Sequence, residues 1–70
     1  MIPQPAITVN GTPQPIEHPL TLEQLIQSLG LAGQPVVAEL NEQPVLPRDY
    51  AATIVEPGAR IEIVTLAAGG

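Results

Sequence analysis

After Ala6, β-branched residues fill Ile7-Thr8-Val9, with apolar Ile7 and Val9 in alternation about Thr8, and Asn10-Gly11 follows at once. The alternation predicts a strand, and Asn-Gly predicts a two-residue turn whose two positions take positive φ. The second arm, residues 12–16, carries Pro13 and Pro15. Proline has no N–H to give to a ladder, so this arm is predicted as a short edge strand. The period then changes from two to that of a helix. Leu22, Leu25, Ile26 and Leu29 recur at helical spacing and predict one buried face over residues 22–29. Thr21 and Gln24 have the spacing of a capping box, with Leu20 and Leu25 at the staple positions on either side. Gly30 is placed to end the helix, and Pro35 stops any continuation.

Beyond the helix, Val36–Leu40 reads as a third strand, followed by a turn at Asn41-Glu42-Gln43-Pro44. Residues 47–52 read as irregular or as a single helical turn. Glu56-Pro57-Gly58 has Pro and Gly at the second and third positions of a type II turn, and it launches a last strand over residues 61–66. Phasing puts Ile61 and Ile63 on the core side of that strand and Arg60, Glu62, Val64 and Leu66 on the other. In the third strand Val36, Ala38 and Leu40 point inward, which leaves Val37 outward. The helix is expected to pack on Ile7, Val9, Leu40, Ile61 and Ile63. A hairpin, one helix and further strands make an α+β roll, a mixed sheet of four to five strands packed on one helix. That order fits the β-grasp, or ubiquitin-like, architecture. Residues 1–66 are expected to form this domain, and residues 67–70 a flexible tail.

Composition narrows the functional classes. Hydrophobic residues make up 44% of the 70, and Tyr50 is the one aromatic, so the core must be built from Ile, Val, Leu and Ala. There is no Cys, which excludes disulfides and thiolate metal sites. Two basic residues against seven acidic ones give a net charge of −5. Arg48 and Arg60 cannot supply the cationic footprint that nucleic acid or anionic lipid requires. No basic-then-apolar leader opens the chain and no apolar run approaches a membrane span, so a soluble, cytoplasmic protein is expected. His18 is the single histidine and has no partner for a metal pair. Tyr50 reads as a ring that anchors its loop. No Ser-His-Asp set and no phosphate-binding glycine loop is legible, so a free-standing enzyme is not expected.

The chemistry is expected at the end of the chain, Ala67-Ala68-Gly69-Gly70. Glycine has no Cβ, so such a backbone threads a narrow channel and its last carbonyl can be approached closely. The terminal carboxylate is a poor electrophile until something such as ATP activates it. Glycine-rich ends are also commonly frayed, which is the competing reading. Val64 and Leu66, apolar and outward just before the tail, together with Val37 are the candidate partner-docking residues.

Four segments give the chain a family likeness: Ile7-Thr8-Val9-Asn10-Gly11; Thr21-Leu22-Glu23-Gln24-Leu25-Ile26; Val37-Ala38-Glu39-Leu40-Asn41 with Val45, Pro47, Arg48 and Tyr50; and Gly58-Ala59-Arg60-Ile61-Glu62-Ile63-Val64 with the terminal Gly pair. In this order and spacing the chain resembles the ThiS sulfur-carrier family of thiamin biosynthesis. It departs from the family at Glu42, where a glycine is usual, and Pro47-Arg48 stand one residue further from Asn41 than expected.

The resemblance implies that Gly70 is adenylated by a ThiF-like adenylyltransferase using ATP and Mg²⁺. A cysteine desulfurase-type donor would then supply sulfur to make a thiocarboxylate. Thiazole synthase, ThiG-like, would receive that sulfur. The chain would be a covalent carrier with no bound cofactor or metal, with Gly69, Ala68, Ala67, Leu66, Val64 and Val37 meeting its partners. Three other readings remain open on sequence. They are a MoaD-like sulfur-donating subunit of molybdopterin synthase, a noncovalent β-grasp binding module, and a ubiquitin-type modifier of lysines.

Overall fold

The computed structural model describes residues 5–66. β1 (Ala6–Val9) and β2 (Thr12–Pro15) form the antiparallel hairpin, with Asn10 at φ 50° and Gly11 at φ 82° in the turn. β3 (Leu20–Thr21) leads directly into α1 (Leu22–Ser28), and β4 (Val36–Leu40) and β5 (Gln43–Val45) form a second hairpin. A 3-10 helix (Pro47–Ala52), β6 (Ile54–Val55) and β7 (Arg60–Thr65) complete the fold. The main sheet has the order β2-β1-β7-β4-β5, and β3 pairs with β6 in a small second sheet. β7 is therefore the central strand, parallel to β1 and antiparallel to β4. The Pro-bearing β2 lies on an edge, as its missing N–H groups require.

The helix forms where its caps place it. Gln24 N–H donates to Thr21 Oγ1 at 3.0 Å, and Thr21 N–H donates to Gln24 Oε1 at 2.9 Å, which is a complete capping box. At the other end Gly30 N–H donates to the Gln27 carbonyl, and Leu31 N–H to that of Ile26. Those two bonds make a Schellman motif, which needs the left-handed φ of 76° that Gly30 adopts. Leu22, Leu25 and Ile26 are buried against Ile7, Val9, Ala38, Ile61 and Ile63 on one face of the main sheet.

Three expectations change. The turn predicted over residues 41–44 is confined to Asn41 and Glu42, because Gln43 and Pro44 pair with Leu40 and Glu39 in β5. Proline is tolerated there because β5 is an edge. Leu40, expected in the core, is half-buried at its margin. The core also draws on Ile16, Val55 and Ala59, with Val55 wholly buried within β6, where it pairs with Leu20 of β3.

The Asn41-Glu42 turn places both residues at positive φ, 51° and 70°. A side chain in that region costs about 1–2 kcal/mol, which glycine avoids. The compensating ion pair, Arg60 to Glu42 at 2.7 Å, has both partners more than half exposed. Such a pair contributes about 0–1 kcal/mol. Glu42→Gly should therefore stabilise the domain by about 0.5–1 kcal/mol in urea denaturation, the added unfolded-state freedom of glycine offsetting part of the gain. A loss of stability would show that the Arg60 pair outweighs the turn strain.

Candidate functional site

Alternation along β7 decides what the open face of the sheet presents. Ile61 and Ile63 are buried beneath the helix, and Glu62 and Val64 point away from it. On β4, Ala38 is buried and Val37 is exposed. The β4–β7 register sets Val37 directly opposite Val64, so the two expected docking residues form one cross-strand apolar pair. They are 46% and 60% exposed, which leaves a cross-strand apolar pair open to solvent. Leu66, 52% exposed, follows β7, and its N–H donates to the Pro35 carbonyl at 2.9 Å. It borders a shallow apolar groove with Pro35, Val36, Pro47 and Tyr50. The apolar surface thus includes the Val37–Val64 pair and the groove at the C-terminal end of β7. Ala67, Ala68, Gly69 and Gly70 lie outside the described residues.

The strand carrying this surface is held by two asparagines. β1 ends at Val9, opposite Ile61, and beyond that point the Asn10 side chain takes the place of a strand. Its Oδ1 accepts from Ile63 N–H at 2.8 Å and its Nδ2 donates to the Ile63 carbonyl at 3.0 Å. Asn41 plays a related part at the start of β7, where its Oδ1 accepts from Arg60 N–H at 2.9 Å and its backbone N–H donates to the Arg60 carbonyl at 2.7 Å. Each turn asparagine therefore tolerates a left-handed backbone and also satisfies backbone groups of the central strand. Sequence reasoning explained Asn10 by its φ alone. The signal for the second role is the choice of Asn at the first position of both hairpins.

The remaining polar candidates do not converge. His18 is exposed, its Nδ1 lying 3.0 Å from the Pro19 carbonyl oxygen. The Tyr50 ring is half-buried against the core, and its hydroxyl makes only a long 3.4 Å bond to the Val36 carbonyl. Among the described residues no group of His, Asp and Glu could hold a metal ion, and no helix is long and apolar enough to cross a membrane.

A five-stranded mixed sheet rolled over one helix, with an open sheet face, defines a ubiquitin-like β-grasp protein. The ThiS family model matches residues 7–70, and the chain belongs to that family. The crystal structure of the thiamine biosynthesis protein ThiS from Geobacter metallireducens superposes with a TM-score of 0.79 at 29% identity, covering 93% of this chain and 99% of that one. Its solution NMR structure gives a TM-score of 0.77 over 93% of this chain and 87% of that one, again at 29% identity. A thiazole synthase of Magnetococcus marinus is 36% identical over 64 residues, which is 91% of this chain but 20% of that protein. An uncharacterized protein, ycf40, of Porphyra purpurea is 28% identical over 93% of this chain and 92% of its own length. The chain thus spans a fifth of one curated relative and nearly all of the other.

Proposed function

We propose that this chain is a sulfur carrier of thiamin biosynthesis whose Gly70 carboxylate is adenylated and then converted to a thiocarboxylate. The observation that carries the reading is the family match running through residue 70, which includes the Gly69-Gly70 pair. Likeness to a thiamine biosynthesis protein and to a thiazole synthase favours thiazole formation over the molybdopterin pathway. The chemistry follows from the carboxylate itself. It attacks the α-phosphorus of ATP, releasing pyrophosphate, and the acyl-adenylate now carries AMP as a leaving group. The terminal sulfur of a persulfide attacks the acyl carbon and AMP departs. A thiol then cleaves the S–S bond and leaves the thiocarboxylate. In this cycle the chain is a co-substrate in the cytoplasm. A ThiF-like adenylyltransferase using ATP and Mg²⁺, a cysteine desulfurase-type donor and a ThiG-like thiazole synthase act on it.

The test is reconstitution with these three partners and ATP, followed by intact mass spectrometry. Exchange of one oxygen for sulfur at the terminal residue is expected. An unmodified carboxylate under all these conditions overturns the reading.

The open sheet face is the docking surface for the adenylyltransferase in this proposal. Val64→Asp puts a charge into the centre of the apolar pair, where an anion must be desolvated on binding. Affinity for the adenylyltransferase should fall by about 30-fold or more, as for a central interface residue. The melting curve should stay close to that of the parent, because Val64 is exposed. Unchanged affinity, or a variant that does not fold, removes Val64 from the interface.

A further inference from the structure

Val37 and Val64 are not the only outward pair on β4 and β7. Two residues along, in the same register, Glu39 stands directly opposite Glu62. Side chains so placed have Cβ atoms about 4.5–5.5 Å apart, and like charges there destabilise a sheet. Among the described residues neither carboxylate has an ion-pair partner. Arg60, on the same strand face as Glu62, is committed to Glu42. Arg48 lies on the 3-10 helix. A threonine or lysine at either glutamate would remove the repulsion, so the isolated domain gains nothing from this arrangement.

We propose that Glu39 and Glu62 form a two-carboxylate fork that receives one arginine of the adenylating partner, with Val37 and Val64 packing on an apolar side chain beside it. This rests on the carrier function proposed above. Charge complementarity argues for the occupant. A cation between the two carboxylates is attracted by both and cancels their mutual repulsion, so binding gains what the free domain lacks. Guanidinium suits the site because its planar array of five N–H donors can bond two acceptors at once. The valine pair lies about 6.5–7 Å along the strands, near enough to exclude water from one side of the contact. With water excluded there, the charged hydrogen bonds are stronger than on an open surface.

The experiment compares the full chain with a Glu39→Gln, Glu62→Gln double variant, and with Glu62→Gln alone. Binding to the ThiF-like adenylyltransferase, in the presence of ATP and Mg²⁺, is titrated from low to high NaCl. Glutamine keeps shape and size, so the double variant should melt no earlier than the parent. Its affinity at low salt should fall by about tenfold or more and its salt dependence should flatten, with the single variant intermediate. Equal affinity with an unchanged salt slope overturns the fork. So does a double variant that melts clearly lower, which would make the pair structural, or one that weakens only for thiazole synthase. Thiocarboxylate formation by the parent is measured in parallel. A parent that binds and is modified beside an insensitive double variant sinks the fork alone. A parent that neither binds nor is modified sinks the carrier reading and the fork together.

Discussion

Leu25→Ala should lower the free energy of unfolding by about 2–5 kcal/mol, measured by urea or guanidinium denaturation. Leu25 is 2% exposed and sits in the second turn of the only α-helix among the described residues. Its truncation removes the transfer energy of the lost atoms and leaves a cavity. The cavity has little chance to close, because Ile7, Val9, Ile61 and Ile63 in the same core cluster are β-branched and stiff at χ1. They are also fixed in a hydrogen-bonded sheet, and the chain has no Phe or Trp that could swing into the gap. At roughly 0.05–0.15 kcal/mol per residue, a domain this size has about 4–10 kcal/mol in total. The variant should therefore be partly unfolded near physiological temperature. A loss below ~1 kcal/mol would place Leu25 outside the core.

The parts of the fold that sequence made legible are those where a local rule and the tertiary structure agree. Thr21 and Gln24 cap the helix as their spacing requires. Asn10-Gly11 makes the hairpin, and the two-residue period of β7 divides buried isoleucines from exposed Val64. The missed features have no period to read. Leu20–Thr21 and Ile54–Val55 are two residues each, too short to alternate, and their pairing is set by tertiary contact alone. Gln43-Pro44 looks like loop because proline does, and only its place on an edge lets it pair. The candidate site divides in the same way. Phasing placed Val37 and Val64 on one face, but their direct opposition depends on the β4–β7 register, which joins strands far apart in the chain. The same register creates the Glu39–Glu62 pair, which no local pattern announces. The clamp of Asn10 on Ile63 spans 53 residues and could be seen only in three dimensions.

Deletion of Gly70 should abolish thiocarboxylate formation while leaving the melting curve of the domain unchanged. The stability half follows from where the core lies, since among the described residues every buried apolar side chain belongs to residues 7–63. The chemical half follows from reach. The shortened chain still ends in a carboxylate, on Gly69, but one residue fewer withdraws it by up to about 3.3–3.6 Å. In-line attack on phosphorus needs reacting atoms about 3–3.5 Å apart, and a misplacement of about 1 Å can already cost a hundredfold in rate. In the docking proposed above, Val37 and Val64 fix the point from which residues 67–70 extend, so a chain one residue shorter has less reach toward the nucleotide. Intact mass spectrometry after incubation with the adenylyltransferase, ATP and a sulfur donor reads the result. Oxidation of Met1 gives nearly the same nominal mass change, so fragmentation must place the sulfur on the last residue. If the shortened chain is thiocarboxylated as readily as the full one, the fixed-reach account of Gly70 is wrong, even where the full chain carries sulfur.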